Sequence, residues 1–191
     1  MSRRADLVEQ TRQEITAATA RLHTTIGPAS TSVAAIAREA GVTRVTVYRH
    51  FPDMDALFEA CRAHWQAENP PPDVLAWLEE PALEPRLRRA LRELYAWFRA
   101  HADELYPIYR DMTSIPRSSQ AAMREDRRHL AEILVGDRVD GAERSRIVRA
   151  VARHLVDFRT WWSLAIDDEL TDEEAAELGV RVLVGMTGHE P

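Results

Sequence analysis

The chain has 191 residues, 45% of them hydrophobic and 29% charged, with a formal net charge of -6. That length supports one or two domains with a real core, and the composition is that of a soluble globular protein. No apolar run nears the roughly 18 residues of a membrane span, the opening MSRRADLVEQ has no apolar segment behind its arginines, and a lone Cys61 makes no internal disulfide, so the expectation is a cytoplasmic protein without a membrane role.

Residues 5–23 read as a first helix, with Val8, Ile15, Ala18 and Leu22 on one face. Arg3 and Arg4 before it read either as an arm reaching nucleic acid or as a solvated terminus. Thr24 to Ser32 carries Gly27 and Pro28 and reads as a loop ending in hydroxyl caps. Ser32 to Phe51, SVAAIAREAGVTRVTVYRHF, then reads as two short helices joined by a tight turn. Ile36 and Ala37 lie on the inner face of the first, Gly41 ends it, Thr43 caps the second, and Val47 faces inward. Four residues from Ala37 to Gly41 and six from Gly41 to Val47 are the intervals of a helix-turn-helix.

The outward positions of the second helix are Arg44, Val45, Thr46, Tyr48, Arg49 and His50. Guanidinium, methyl, hydroxyl and ring groups in one array suit base edges and phosphates. Arg44 is the strongest candidate for a base contact, since a guanidinium binds guanine O6 and N7 together. Thr46 suits a base edge or a thymine methyl, Tyr48 and His50 suit phosphate or sugar, and Arg49 suits either; Ser32 and Thr43 combine capping with donation to phosphate. The plain alternative for each is a solvated side chain on an ordinary helical hairpin. Charge agrees with the nucleic-acid reading. All basic residues are arginine; residues 1–51 hold seven against four acids, and residues 52–191 hold 18 against 27.

Asp53 is placed to cap a fourth helix running to about Glu68, with Leu57, Phe58, Cys61 and Trp65 as its apolar stripe. Asn69-Pro70-Pro71-Pro72 reads as a linker. Helical patterns follow at 73–80, 84–101 (burying Leu87, Leu91, Leu94 and Phe98), 103–113 around Pro107, and 118–135, with a loop from Gly136 to Gly141. The longest helix is expected at 143–167, with Ile147, Val151, Leu155, Phe158, Trp162 and Ile166 along one face. Thr171 with Glu174 is a capping box opening a last helix to about Met186. Gly179 and Gly185 weaken that helix, which makes sense where a partner helix passes close; fraying near Gly185 is the alternative. The sequence predicts an all-α protein of about nine helices, with no strand and no internal repeat.

The order of a helix, a helix-turn-helix, a bridging helix and a larger helical domain resembles the TetR (tetracycline-repressor-like) family of bacterial transcription regulators. The residues that carry the resemblance are Thr31-Ser32-Val33, Ile36 to Val42, Thr43, Val47 to Phe51, and Leu57, within a specific match over roughly residues 8–62. Leu170 to Ala175 also looks like the start of a final helix in such proteins. The resemblance implies a DNA-binding domain at 1–52 and a ligand-binding and dimerisation domain at 53–191, with 53–68 as the bridging helix. It implies a homodimer through the last two helices, a near-palindromic double-stranded operator, and release of DNA by a small molecule. Where the family commonly has a phosphate-touching lysine after the cap of helix four, this chain has Met54 between Asp53 and Asp55; the helix N-terminus still offers its amides. Repression is the expected sense, although repression and activation are not distinguished by the chain itself.

Residues 73–191 hold four of the five tryptophans and three of the four tyrosines, which suits a cavity for an apolar or aromatic effector. The candidate lining is Trp65, Trp97, Tyr109, Met112, Met123, Phe158, Trp161 and Trp162, against the alternative that about half are core. Adjacent Trp161 and Trp162 point about 100° apart on a helix, so one faces away from any shared pocket. The acidic balance argues against an acidic effector, with Arg110, Arg124 and Arg159 as local exceptions. No cofactor is expected. The rival readings are a DNA-binding dimer without an effector and a small helical enzyme. For the enzyme, the scattered histidines leave a weak metal set of His129, His154 and Asp157, and there is no phosphate-cradling glycine loop, nucleophile elbow or metalloprotease pair. Cys61, on an apolar stripe, is expected to pack rather than react.

Overall fold

The computed structural model describes residues 3–136 and 142–187. Among them every regular element is helical, and no strand occurs. The chain divides into two compact units: Met1–Pro70 with Asp103–Ala122, and Pro71–Ala102 with Met123–Pro191.

In the first unit, α1 (Arg3–Thr25) leads through a 3-10 turn (Pro28–Ser30) into α2 (Val33–Glu39), α3 (Arg44–His50) and α4 (Met54–Glu68). Each start has its own oxygen. Ser32 accepts from the amide of Ala35, Thr43 from Thr46 and Asp53 from Ala56, so three successive helices begin on side-chain caps. Helix α2 ends as a Schellman turn. Gly41 takes φ +66, the amide of Val42 donates to the carbonyl of Ala37 at 2.9 Å, and that of Gly41 to Arg38 at 3.2 Å. The core beneath these turns is Ile15, Ile36, Ala37, Val47, Phe51 and Leu57. The first turns of α1 lie outside it: Val8 is exposed, contrary to the expected stripe, because α1 begins well before the part packed on α2 and α4. Helix α6 (Ala102–Arg110) carries Pro107 at its sixth position, and a 3-10 turn (Met112–Ser114) follows.

In the second unit, a 3-10 turn (Ala76–Glu79) stands where a short helix was expected at 73–80, and α5 (Leu83–Ala100) buries Leu87, Leu91, Leu94 and Phe98 as anticipated. Helix α7 (Arg117–Val135) runs through both units' residue ranges. The expected loop after it lies, apart from Gly136, outside the described residues. The expected long helix at 143–167 is broken. It comprises α8 (Ala142–Leu155), α9 (Phe158–Trp162) and a π turn (Ser163–Asp167). Asp157 is the cause: its backbone is extended and its carboxylate accepts from the amide of Arg159, so it starts a new helix. The break also resets the register. Val148, Ala152 and Leu155 are buried, while Ile147 is exposed and Val151 and Ile166 are half-buried.

The last helix, α10 (Asp172–Thr187), opens on the capping box. Glu174 accepts from the Thr171 amide at 2.9 Å, and the Glu174 amide donates to Thr171 Oγ1 at 3.2 Å. Gly179 serves the fold of this chain: a Cβ there would lie 2.9 Å from Leu91 and 3.1 Å from Leu155, so α10 sits close on α5 and α8. The close neighbours expected from a partner helix are therefore intramolecular at Gly179, whereas Gly185 faces open space.

Candidate nucleic-acid interface

Helix α3 is seven residues long and is fixed at both ends. Its first turn hangs on Thr43, whose hydroxyl accepts from the Thr46 amide and pairs with the Thr46 hydroxyl at 3.0 Å. Its inner face is Val47, fully buried. Its last carbonyl, that of His50, accepts from Arg12 Nη1 at 3.0 Å, and the same guanidinium lies 4.2 Å from the ring centroid of Phe51. A cation at the carbonyl end of a helix is favourable, and here it also ties α3 to α1.

With core, cap and anchor accounted for, the outer face is open. Val45 is 77% exposed and Tyr48 54%. Arg44 and Arg49 are exposed, as are Ser32 and Thr43, while Thr46 and His50 are half-buried. The structure thus brings Thr43, Arg44, Val45, Tyr48 and Arg49 onto one accessible surface, and turns Thr46 partly toward its own cap. An exposed Val45 amid guanidiniums presents a methyl pair where base edges offer thymine methyls, and arginines on either side supply donors for guanine or phosphate. At the start of α4, Met54 is exposed and Asp55 accepts from the Ser118 hydroxyl at 2.7 Å.

Two contributors to this surface escaped the sequence reading. Arg12 gives no local signal, since its partners are 38 and 39 positions away. Arg110 and Asp111, one of them considered only as an anchor for an acidic effector, bond instead to the loop before α2.

The aromatic candidates divide. Phe158 and Trp161 are buried in a ring cluster: Phe158 lies 5.5 Å from Phe98, 5.4 Å from Trp161 and 5.7 Å from Trp162, and Trp97 lies 5.7 Å from Phe98. Trp161 also donates its indole N–H to Asp172 at 2.9 Å. Trp97, Met123 and Trp162 are half-buried in the same unit. Trp65, Tyr109 and Met112 are half-buried in the first unit, where Trp65 donates to Glu104. Trp77, passed over as a site residue, is fully buried and donates to Glu93 at 2.7 Å.

Among the described residues no three metal-ligating side chains converge. His129 and His154 are exposed, and Asp157 pairs with Arg127. Cys61 is buried as expected. It donates to the Phe58 carbonyl at 3.1 Å and lies 3.5 Å from His23 Nδ1, and burial pushes its thiol up to about 12. The same burial lowers His23 to about 4. No helix among the described residues is long and apolar enough to cross a membrane.

Comparison with known proteins agrees with this geometry. Residues 15–61 match the model of the bacterial regulatory proteins, tetR family. The fold is similar to the crystal structure of a TetR-like transcriptional regulator from Rhodococcus sp. RHA1, at a TM-score of 0.58 and 21% identity, covering 93% of this chain and 96% of that one. No curated protein matches the chain significantly.

Proposed function

We propose, taking the TetR-family helix-turn-helix head as the premise, that this chain is a dimeric transcriptional regulator that grips a near-palindromic operator and releases it on binding a small molecule. The observation that carries the reading is the accessible face of α3, in which Arg44, Val45, Tyr48 and Arg49 stand outward on a helix whose cap, core residue and anchor are all supplied from within the head. Arg44 reads guanine, Tyr48 and Arg49 hold the backbone, and the hydroxyls of Ser32 and Thr43 add phosphate contacts.

A second copy supplies the second half-site. Helices α8 and α10, which pack together, leave Ile147, Leu178 and Val182 exposed, and Gly185 adds an open backbone. An apolar face of this kind suits a two-fold interface. For the effector, the half-buried Trp97, Met123 and Trp162 are the proposed lining in the second unit, with the Phe158–Trp161 cluster as their backing; an apolar or aromatic molecule fits such walls. Repression in the cytoplasm without a cofactor completes the reading. The burial of Phe158 and Trp161 favours the second reading, a DNA-binding dimer without an effector, to the extent that the remaining rings are also core.

The test is selection of bound sequences from random duplex DNA, with affinity then followed against salt. An enriched palindrome with a steep negative slope is the expected result. Arg44→Ala then weakens binding to that palindrome by about 1–3 kcal/mol and relaxes one base preference. Equal loss on selected and random DNA would make Arg44 a phosphate contact. Absence of any enrichment would remove sequence-specific reading altogether.

A further inference from the structure

The loop between α1 and α2 is wedged from outside its own stretch of chain. Asp111, buried at the end of α6, accepts from the amide of Ala29 at 3.0 Å through Oδ2. Arg110 donates from Nη2 to the carbonyl of Ile26 at 3.0 Å and grips both oxygens of Asp111, at 2.8 and 3.1 Å. Between these two bonds stands Gly27 at φ +90. A Cβ there would fall 2.2 Å from Asp111 Oδ2 and 2.5 Å from Arg110 Nη2. Backbone conformation and space both demand glycine at that point.

The loop is stiff beyond the wedge. The amide of Ser30 donates to Gly27 at 3.2 Å, the amide of Thr31 to Pro28 at 3.2 Å, and the Thr31 hydroxyl to the Gly27 carbonyl at 2.8 Å. Ala29 is three residues before Ser32, the cap of α2. A displacement at Ala29 is therefore passed along a bonded turn to the start of α2, where free amides and the Ser32 hydroxyl face solvent and suit a phosphate. Residues Asp103–Ala122 share the head's compact unit although they lie in the middle of the chain.

We infer that Asp111 is a positioning residue for DNA binding: with Arg110 it locks the Ile26–Ala29 loop so that Ser32 and the N-terminus of α2 sit where a phosphate is held. This rests on the reading of the head as a DNA binder. Arg110 keeps the Asp111 carboxyl below its ordinary range, so the lock is ionised at neutral pH.

The experiment measures affinity across a salt series for the wild type, Asp111→Ala, Asp111→Asn, Gly27→Ala and the control Trp65→Phe, which removes a different bond to the same middle segment. Each is corrected for its native fraction by circular dichroism. The probe is the duplex that the wild type enriches from random DNA, or a random duplex of equal length where none is enriched. Asp111→Ala and Gly27→Ala are expected to lose about tenfold or more, with a salt slope shallower by about one phosphate per head. Asp111→Asn, which keeps an acceptor for Ala29, falls between, and Trp65→Phe stays at wild type. A lower melting temperature with wild-type affinity and slope per native molecule would overturn the inference and leave Asp111 a stability residue. A wild type that binds no duplex in a salt-dependent way would instead sink the reading of the head, and this inference with it.

Discussion

The reading head and the second unit are held together by different means. In the head the core is small, with nothing larger than Phe51, and the shape comes from single-residue devices: three oxygen caps, one glycine turn and one arginine on a helix end. In the second unit the rings of Trp77, Tyr95, Phe98, Phe158 and Trp161 fill the interior, and the Tyr95 hydroxyl donates to the Leu155 carbonyl at 2.9 Å. Along its surface, arginines of α5 pair with carboxylates of α10: Arg88 with Glu177, Arg92 with Glu173, Arg99 with Asp172. A surface that must stay polar to meet DNA is shaped by main-chain chemistry, whereas a unit free of that demand gains its rigidity from aromatic volume.

That contrast is tested first where the expected effect is largest. Trp161→Ala removes a fully buried ring and its bond to Asp172, and is expected to cost about 3–5 kcal/mol in denaturant unfolding; a loss near that of a surface change would show that the ring cluster is not a core. Next comes His23, the buried titratable group of the head. Its folded value of about 4 lies below the ordinary 6.5, so between those values the unfolded chain binds more protons. Its contribution is full above pH 6.5 and is lost as pH falls toward 4, by on the order of 3 kcal/mol. The unfolding midpoint of the wild type minus that of His23→Leu, followed from pH 7 to 4.5, should decline; a flat difference contradicts it.

Thr43→Ala strips the cap of α3 and should cost about 1 kcal/mol. It should also lower DNA affinity, so thermal melting and binding are read on the same sample. An unchanged affinity would mean that the cap holds the fold but not the reading surface. Smallest is Arg92→Ala at the α5–α10 surface, where an exposed pair contributes roughly 0.2–1 kcal/mol. A larger loss, in melts at low and high salt, would mean that the pairs act as a network.

The head was legible because its devices are local: Ser32, Gly41, Thr43, Asp53 and the Thr171–Glu174 box each act within a few residues of where they stand, and each does so in the structure. The last third misled because periodicity across 143–167 assumes one continuous helix, and Asp157 is as much a cap as Thr43, although it sits inside an apolar pattern. Gly179 was legible as a close approach but not as to what approaches. Arg12 and Asp111 were not legible at all, since their partners are tens of positions away and neither falls on a repeating pattern.

The exposed Arg44 and Arg49 carry a further consequence. A guanidinium keeps its charge throughout the pH range in which proteins fold, and it offers no primary amine for acyl transfer. With no lysine in the sequence, acetylation of a lysine has no purchase on the reading face. The charge that meets the phosphates is in that respect a constant of the molecule, and grip on DNA is left to be tuned by the distance between heads, by the set of α3 within each head, and by the salt around them.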